Sequence, residues 1–559
     1  MSRLQIAAAS GVIGGRNVCA VIPVALAFAL AGCVVGPKYH PPSSQPPTTY
    51  KETPANMSQK PPAPSAPAAA PAPPAPAPAN AAPPQQGGQT QPAPPPDPTA
   101  GGLGGWSPAN PQDGALKGKW WEIYNDPELN ALEEQLNANN YNIKVSFENL
   151  MAARAIVREA RAQYFPVVTT TPSWNRSRSS SNLVNNTGGG GALIRGTTST
   201  LIDLPAEVSW QPDLWGRIRN TVRNSQYNAQ LSAADLENER LTEQSNLAIF
   251  FFQLRGQDAL QQILNSTVAQ YQTSLELARA QYETGITDQI AVVQAQTTLE
   301  SAQSQATNIG VARAQYEHAI ATLIGKAASE FSIPARPSII TPPPIPLGLP
   351  SQLLERRPDI AAAERAMAAS NAQIGIATAA FFPTLTLSAS GGFESSTWGN
   401  LLNWPSRFWS IGPSISQTIF DAGLRRATVH QYTAVYNANL AAYRQTTLNA
   451  FQQVEDALST LRILTQQIQQ QNRAVQAARR ALDLGVDRYK LGIDPYIDVV
   501  ILENTLLSAQ QTLAQIEIQR VTASVQLIEA LGGGWDRSQL PTTQSVTIKP
   551  PSAETRQQQ

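Results

Sequence analysis

The chain contains two copies of one unit, and this duplication constrains its fold more than any other feature. Three glycine-containing motifs return 207 residues later, pairing Gly216 with Gly423, Gly285 with Gly492 and Gly325 with Gly532. The pair Phe165-Pro166 returns as Phe382-Pro383, 217 residues later, so the ten extra residues lie in one longer loop of the first copy. This constant spacing predicts two structural repeats in one chain.

Each copy has the same predicted order of elements: a helix, two strands, a long helix, a glycine turn and a returning helix. The first helix, near 129–163 and near 352–381, stops at Phe-Pro because proline disfavours helical geometry in the residue before it. The hairpins are predicted at about 166–213 and 383–420, and the long helices at 217–282, 288–324, 424–489 and 496–531. At a rise of 1.5 Å per residue, the longest helices would measure roughly 100 Å.

The hairpin segments change to a period of two, which is typical of strands with two different faces. In the second copy, apolar and polar residues alternate as Thr384, Leu385, Thr386, Leu387, Ser388 and Ala389, and again from Trp409 to Ile419. The strands run about ten residues, enough for a tilted strand to cross a bilayer. Aromatic residues crowd the strand ends, as in the girdles of membrane barrels. A half-buried hairpin in a water-soluble protein also fits the alternation, but the aromatic clusters favour the membrane.

The first returning helix carries a heptad seam. Its apolar residues step by four, three or seven positions at Ala302, Ala306, Ile309, Tyr316, Ile320 and Leu323. This spacing predicts coiled-coil packing against a neighbouring helix. The other faces are rich in Gln, Asn, Thr and Ser rather than in charge, which fits a helix with one packed side and one side on a wide aqueous lumen.

The N-terminus has the features of a lipoprotein signal. Residues 1–32 carry only two charges, and the 14 apolar-rich residues Val18–Ala31 are too few to span a bilayer as a helix but suit a signal segment. Leu30-Ala31-Gly32-Cys33 resembles the bacterial lipobox, so we predict a lipid on Cys33. Val34, in place of Asp, favours sorting to the outer membrane. No run of 18 apolar residues follows, so no membrane-spanning helix is expected in the mature chain.

The segment 33–112 is predicted to be a lipidated N-terminus followed by a linker. Residues 41–112 hold 23 of the 45 prolines and favour extended polyproline II, which cannot pack a core. The linker is expected to be a spacer between lipid and body, or a tether that threads the cell wall or wraps the body. The first repeat then covers 113–335, the second covers 336–535, and 536–559 form a tail.

Composition argues against several functions. Forty basic residues balance forty acidic ones, so nothing indicates nucleic-acid binding. Three histidines and two cysteines argue against a zinc or iron–sulfur site. The sequence shows no phosphate loop, zinc-protease motif or serine-hydrolase motif. We therefore predict that the protein is not an enzyme, binds no metal, and carries no cofactor beyond the covalent lipid on Cys33.

Two hairpins supply four strands, and four strands cannot close into a barrel. An open strand edge cannot lie in lipid, and the smallest membrane barrels have about eight strands. The chain is therefore predicted to oligomerise, with two or more copies pooling their strands into one barrel and their helices into one tube.

Seven short motifs in order on this frame point to a known family. They are Gly32–Tyr39, Trp120-Trp121, Asp126–Leu129, Asp213–Arg217, Leu354–Ile360, Phe382-Pro383 and Ile419–Gly423. Together they resemble the TolC-like outer-membrane efflux proteins, in particular the OprM/NodT-type lipoproteins, over about residues 30–535. The resemblance implies a homotrimer with a 12-stranded β-barrel, four strands per chain, in the outer membrane of a Gram-negative bacterium. It also implies a long periplasmic α-helical barrel, so the fold is mainly α with membrane β.

The resemblance further implies passive export of small molecules such as drugs or toxic compounds. An inner-membrane resistance-nodulation-division pump and a periplasmic adaptor would deliver them. The family closes its tube at the periplasmic helix tips, which implies as gate candidates Tyr282, Gly285, Asp288, Tyr489, Gly492, Asp494, Asp498 and Ile501.

Three of these candidates have specific expectations. Asp498 matches an acidic pore position, where three facing carboxylates would select cations. Ile501 replaces a second Asp of many members and suggests an apolar constriction instead. Asp494 stands where some members place a basic link, and its partner is expected to be Arg488 or Lys490. A solvated helix end would also explain each of these charges.

Two alternatives remain open at this point. A type I protein-secretion conduit has the same fold, and the lipobox favours efflux over it only by family association. A lipid-anchored periplasmic coiled-coil structural or adaptor protein would explain the heptads and the lipid, but it requires neither alternating hairpins nor aromatic belts.

Overall fold

The computed structural model describes residues 35–42, 118–180, 198–338, 341–345 and 352–547, so the signal, Cys33 and most of the linker lie outside the described residues. The helices are α1 (Pro127–Asn139), α2 (Tyr141–Ala162), α3 (Arg217–Glu283), α4 (Gln289–Leu323), α5 (Leu353–Arg356), α6 (Pro358–Ala379), α7 (Leu424–Lys490) and α8 (Tyr496–Ala530). The strands are β1 (Val167–Thr169), β2 (Ser173–Arg178), β3 (Thr198–Trp210), β4 (Thr384–Ser395) and β5 (Arg407–Ser416).

The two longest helices start in the same way, because the duplicated motif places an aspartate before each one. Both begin after a glycine with positive φ, Gly216 at 78° and Gly423 at 89°. Ahead of α3, the Asp213 carboxylate accepts the backbone N–H of Ile218 at 3.1 Å. Asp421 accepts the N–H of Gly423 at 3.1 Å. Each aspartate thus satisfies N–H groups that a helix start leaves unpaired.

The first helix of each repeat was predicted as one unbroken element, and this prediction was wrong. In the first repeat, Asn140 separates α1 from α2, and its side-chain oxygen accepts the backbone N–H of Asn142 at 2.8 Å and of Ile143 at 3.0 Å. In the second repeat, Arg357 is extended because it precedes Pro358. A side-chain cap at Asn140 and the proline after Arg357 therefore outweigh the helical composition at these two positions.

The two hairpins join into one antiparallel sheet. β3 pairs with β4 from Ile202 opposite Ser395 to Trp210 opposite Leu387, and β5 continues the sheet beyond β4. β1 and β2 both pair with β3, so they are two pieces of one strand position. The break between them contains Pro172, which has no N–H to donate. Four strand positions result.

The sheet is open at both sides. Among the described residues, β5 on one side and β1 with β2 on the other have no further strand partner. On β5, the apolar side chains Trp409, Ile411 and Ile415 are 72–76 % exposed. Ile419, predicted to continue this strand, lies past its end at Ser416. The small residues between them lie on the opposite face, so the alternation predicted from the sequence describes two faces that this chain alone leaves uncovered.

The helices form a layer that continues the sheet. Next to the sheet, α2, α3, α6 and α7 lie side by side in that order; farther along, α4 packs on α3, α8 packs on α7, and α3 meets α8. The predicted heptad seam of α4 is confirmed, since none of its six residues is exposed. No helix among the described residues combines the length and the apolar character needed to cross a membrane.

A buried ion network ties the connection between the repeats to the helical layer. Arg255 on α3 is 1 % exposed and donates to Asp258 Oδ2 at 2.9 Å and to Pro334 O at 2.8 Å. Arg313 on α4 donates to Asp258 Oδ1 at 2.7 Å and to Ile333 O at 2.6 Å. The network therefore holds α3, α4 and the segment after α4 in one arrangement.

We expect Arg255→Met to destabilise the protein by about 3–5 kcal/mol, because it leaves the buried Asp258 carboxylate with fewer partners. Arg240→Met on the same helix removes a partly exposed pair with Glu237 and should cost less than about 1 kcal/mol. Thermal unfolding of the detergent-purified variants measures both. Equal losses of stability in the two variants would show that the Arg255 network does not hold the segment after α4 against the helices.

Candidate functional site

The chain reverses direction at two helix tips built on the same turn. Gly285 has φ 73° and Gly492 has φ 71°, the left-handed region that favours glycine. After α3, the N–H of Ile286 donates to Gln281 O at 2.9 Å; after α7, the N–H of Ile493 donates to Arg488 O at 3.0 Å. This is the Schellman arrangement, which satisfies carbonyls at a helix end. Both glycine gate candidates are therefore turn residues that allow the helix to reverse.

The aspartates at the tips have different roles. Asp288 caps α4, since its Oδ1 accepts the N–H of Ala291 at 3.2 Å. Asp494 forms a two-pronged ion pair with Arg488, whose Nη2 lies 2.8 Å from its Oδ1. The expected alternative partner Lys490 is not used. Hydrogen bonding to Arg488 lowers the pKa of Asp494.

The remaining candidates divide between exposed and buried positions. Asp498 lies exposed in the first turn of α8, and Ile501, three residues later on the same face, is 55 % exposed. Tyr282 is also exposed. Tyr489 is instead 6 % exposed, with its ring 5.3 Å from that of Tyr496. Tyr489 therefore packs α7 against α8 and presents no surface to a lumen within this chain.

Sequence reasoning missed a buried carboxyl two turns from the second tip. Glu503 on α8 accepts a hydrogen bond from the Ser274 hydroxyl on α3 at 2.8 Å. Tyr271 and Tyr496 are buried in the same cluster. Within the described part of the chain, Glu503 Oε2 and the Tyr271 hydroxyl have no hydrogen-bond partner. Burial raises the pKa of Glu503. The sequence signal that could have indicated this buried carboxyl was a Glu within an otherwise Leu- and Val-rich stretch of α8.

The opposite end of the helical layer meets the sheet through aromatic side chains. Trp215 Nε1 donates to Pro383 O at 2.7 Å, and its ring stacks on Phe382 at 4.8 Å. Trp210 Nε1 donates to Tyr164 O at 2.9 Å. At the far end of the sheet Trp398 and Trp404 are exposed. Aromatic residues thus lie at both ends of the strands, as at the two interfaces of a membrane barrel.

Comparison with known proteins agrees with this geometry. The outer membrane efflux protein family model matches residues 132–326 and 349–533, one match in each repeat. The probable efflux pump outer membrane protein TtgC of Pseudomonas putida KT2440 is 31 % identical over 448 residues, covering 80 % of this chain and 91 % of TtgC. The pyoverdine export outer membrane protein OpmQ of Pseudomonas aeruginosa is 28 % identical over 420 residues. The match covers 75 % of this chain and 87 % of OpmQ.

Solved structures show the same architecture. The outer-membrane channel OprN superposes with a TM-score of 0.74 at 28 % identity, covering 90 % of this chain and all of that chain. The outer membrane protein VceC from Vibrio cholerae superposes with a TM-score of 0.68 at 26 % identity. The superposition covers 75 % of this chain and 99 % of VceC. The fold and its site define an outer-membrane channel. The chain belongs to the outer membrane efflux protein family.

Membership confirms the predicted two-repeat fold, the outer-membrane location and the efflux function. A periplasmic structural or adaptor protein is excluded by it. The efflux names of the relatives favour efflux over protein secretion.

We expect the Arg488–Asp494 pair to stabilise the second tip locally. The first tip has Gln281 and Thr287 at the matching positions, so Arg488→Gln gives the second tip a residue of the first. Backbone amides of 491–494 should then exchange with deuterium faster, as measured by hydrogen–deuterium exchange. Arg480→Gln, an exposed position on α7, should leave this exchange unchanged. Because the pKa of Asp494 is lowered in the folded protein, the pair stabilises the tip at neutral pH. This stabilisation is lost as the pH falls through the pKa of Asp494.

We expect Glu503 to make stability depend on pH in the opposite sense. The pKa of Glu503 is raised in the folded protein. Its contribution to the free energy of unfolding is therefore fully present below the ordinary pKa of 4.5 and is lost as the pH rises. Glu503→Gln keeps an acceptor for Ser274 without a charge and should raise the unfolding temperature more at pH 8 than at pH 5. Glu276→Gln, an exposed position on α3, should change neither value. A Glu503→Gln variant with an unaltered pH profile would contradict this expectation.

Proposed function

We propose that three copies of the chain close into one exit duct of a tripartite efflux system. The observation that carries the proposal is that the sheet formed by the described residues has two unpaired edges, because backbone groups at such edges cannot face lipid. Three copies supply 12 strands, with β5 of one copy pairing with β1 and β2 of the next. The helical layer closes in the same way, with α7 of one copy beside α2 of its neighbour.

Apolar side chains on the two outer helices support this closure. α7 leaves Leu424, Val435, Leu448, Ile463 and Leu484 exposed, and α2 leaves Val145 and Ile156 exposed. We propose that a neighbouring subunit covers these side chains in the closed tube.

The duct is passive. The described residues contain no cluster of His, Cys, Asp or Glu able to hold a metal ion. We propose that the protein is not an enzyme and that an inner-membrane resistance-nodulation-division pump drives export. The relatives are named for export of toluene, antibiotics and pyoverdine. We propose small organic compounds, such as drugs and other toxic molecules, as the cargo of this chain.

The helix tips have two proposed roles. Ile286, Ile290, Leu491 and Ile493 are exposed there and offer an apolar surface to a periplasmic adaptor. Asp498 and Ile501 share the face of α8 that the chain leaves uncovered, and we propose that this face lines the closed pore. Three copies of Asp498 then form an acidic ring beside an apolar ring of Ile501. We also propose that Cys33 carries a lipid that anchors the protein to the outer membrane.

Conductance of the purified protein in planar bilayers tests the duct. In a salt gradient, Asp498→Asn should lower the cation-to-anion permeability ratio several-fold, and Ile501→Asp should raise it, because fixed carboxylates select cations. Glu300→Gln, an exposed carboxylate within α4, is the matched control and should change little.

Expression in a strain without its own outer-membrane efflux protein provides the cellular readout. The chain with its cognate pump should restore drug resistance. In a separate test of lipidation, mass spectrometry of the N-terminal peptide should show loss of the lipid in the Cys33→Ser variant. Bilayers without cation-selective current, together with failure to restore resistance, would overturn the proposed duct.

A further inference from the structure

The register of the strands assigns each charged residue of the sheet to one of its two faces. Arg176 on β2 lies opposite Thr200 on β3. Four residues along β3, Leu204 lies opposite Phe393, which in turn lies opposite Arg407 on β5. Paired residues share a face, and so do residues two or four apart on one strand. Arg176 and Arg407 therefore lie on the same face, although they belong to the two edge strands.

This face is the apolar one. Trp409, two residues after Arg407 on β5, belongs to the exposed apolar face of that strand. The acidic residues of the described strands lie on the other face, where Asp203 pairs with Glu394 and Glu207 follows four residues along β3. The carboxylates of the sheet therefore point away from the guanidinium groups and do not neutralise them.

The arginines lie toward the end of the sheet farthest from the helices. β1 and β2 follow α2 and run away from the helices, and β2 ends at Arg178, two residues after Arg176. β5 begins at Arg407 and ends shortly before α7. The helical layer of this outer-membrane channel lies in the periplasm, so the distal end of the sheet faces the outer leaflet.

Each edge strand repeats one pattern on the apolar face. A tryptophan is followed, two residues closer to the distal end, by an arginine: Trp174 by Arg176 on β2, and Trp409 by Arg407 on β5. Tryptophan side chains favour the interface between acyl chains and headgroups. The arginines beyond them therefore lie at the height of the lipid headgroups.

A second aromatic side chain orients Arg407. Its guanidinium carbon lies 3.9 Å from the centre of the Trp404 ring, in the connection between β4 and β5. A cation–π contact of this kind uses the flat face of the guanidinium and not its N–H edge. That edge matches a phosphate group, which accepts two parallel hydrogen bonds from one arginine.

Closure of the barrel brings the arginines of the two edge strands together. Within one chain, β2 and β5 are separated by three strand spacings, or roughly 14 Å. In the proposed trimer, β5 of one copy pairs with β2 of the next, so Arg407 lies about 5 Å from the strand that carries Arg176 and Arg178. Positive charges from two copies thus gather on the apolar face at each subunit junction.

We infer that each subunit junction carries a binding site for a phosphorylated lipid of the outer leaflet. The phosphates bind Arg176, Arg178 and Arg407, and the acyl chains lie on the apolar face below them. A soluble anion would gain the guanidinium contacts alone, whereas a lipid also covers Trp174 and Trp409. The inference rests on the proposed trimer, because the site is incomplete without the neighbouring copy.

Native mass spectrometry of the detergent-purified protein tests the site. The probes are a lipid A that bears its phosphates and the same lipid with the phosphates removed. We expect one phosphorylated lipid per subunit junction and several-fold weaker binding of the phosphate-free lipid. Excess inorganic phosphate should not displace the bound lipid. Equal binding of the two lipids, or displacement by inorganic phosphate, would overturn the inference.

A variant that carries Arg176→Gln, Arg178→Gln and Arg407→Gln should bind the phosphorylated lipid several-fold more weakly, at the level of the phosphate-free lipid. Arg407→Lys keeps the charge without the planar fork and should lie between this variant and the wild type. Arg480→Gln, roughly 80 Å along α7 from the sheet, removes the same charge and should change nothing. Unchanged binding in the triple variant would refute the site.

The same spectra separate this inference from the proposed function, because the mass of the assembly shows whether three copies associate. A trimer that binds both lipids equally would count against the lipid site alone. A monomer would overturn the proposed closure and, with it, the junction site.

Discussion

Backbone hydrogen bonding in a medium without water governs this structure. Each strand in a bilayer must have its N–H and C=O groups paired, so an open sheet can enter lipid only if other copies cover its edges. The described part of this chain contributes four strand positions with both outer edges unpaired, and the helical layer below ends in two helices with exposed apolar side chains. The same requirement therefore accounts for the sheet, the uncovered helices and the need for more than one copy.

Duplication doubles the architecture without making its two halves chemically equal. Both long helices begin at a positive-φ glycine after an aspartate, and both end in the same glycine turn. The second tip alone adds the ion pair of Arg488 with Asp494, where the first has Gln281 and Thr287. The buried Glu503 on α8 likewise corresponds to the uncharged Gln296 on α4. The two helix pairs can therefore share one backbone design while responding differently to pH or to a partner.

Much of the fold could be predicted because its signals are local. The long helices carry proline-free runs, the strands carry a period of two, and the turns carry glycine at a fixed spacing. The predictions failed where a single residue outweighed the pattern. Asn140 caps a new helix inside a helical composition, and Pro172 interrupts a strand position. In the site, the gate candidate Tyr489 is buried between two helices of the chain, and the buried Glu503 was not among the predicted residues.

By itself, the sequence determined the repeat, the places where the four long helices start and turn, and the family. These features depend on residues within a few positions of one another, or on periodicity along one element. Only the tertiary structure decided that residues 35–42 lie between α3 and α6, that Arg255 and Asp258 hold the segment after α4, and that Glu503 is buried beside Ser274. Each of these contacts joins residues on different elements, and burial of a charged or backbone group depends on neighbours that no local pattern specifies. Val35 and Trp215 are 180 residues apart, so nothing in the local sequence around Val35 indicated that its N–H would donate to Trp215 O.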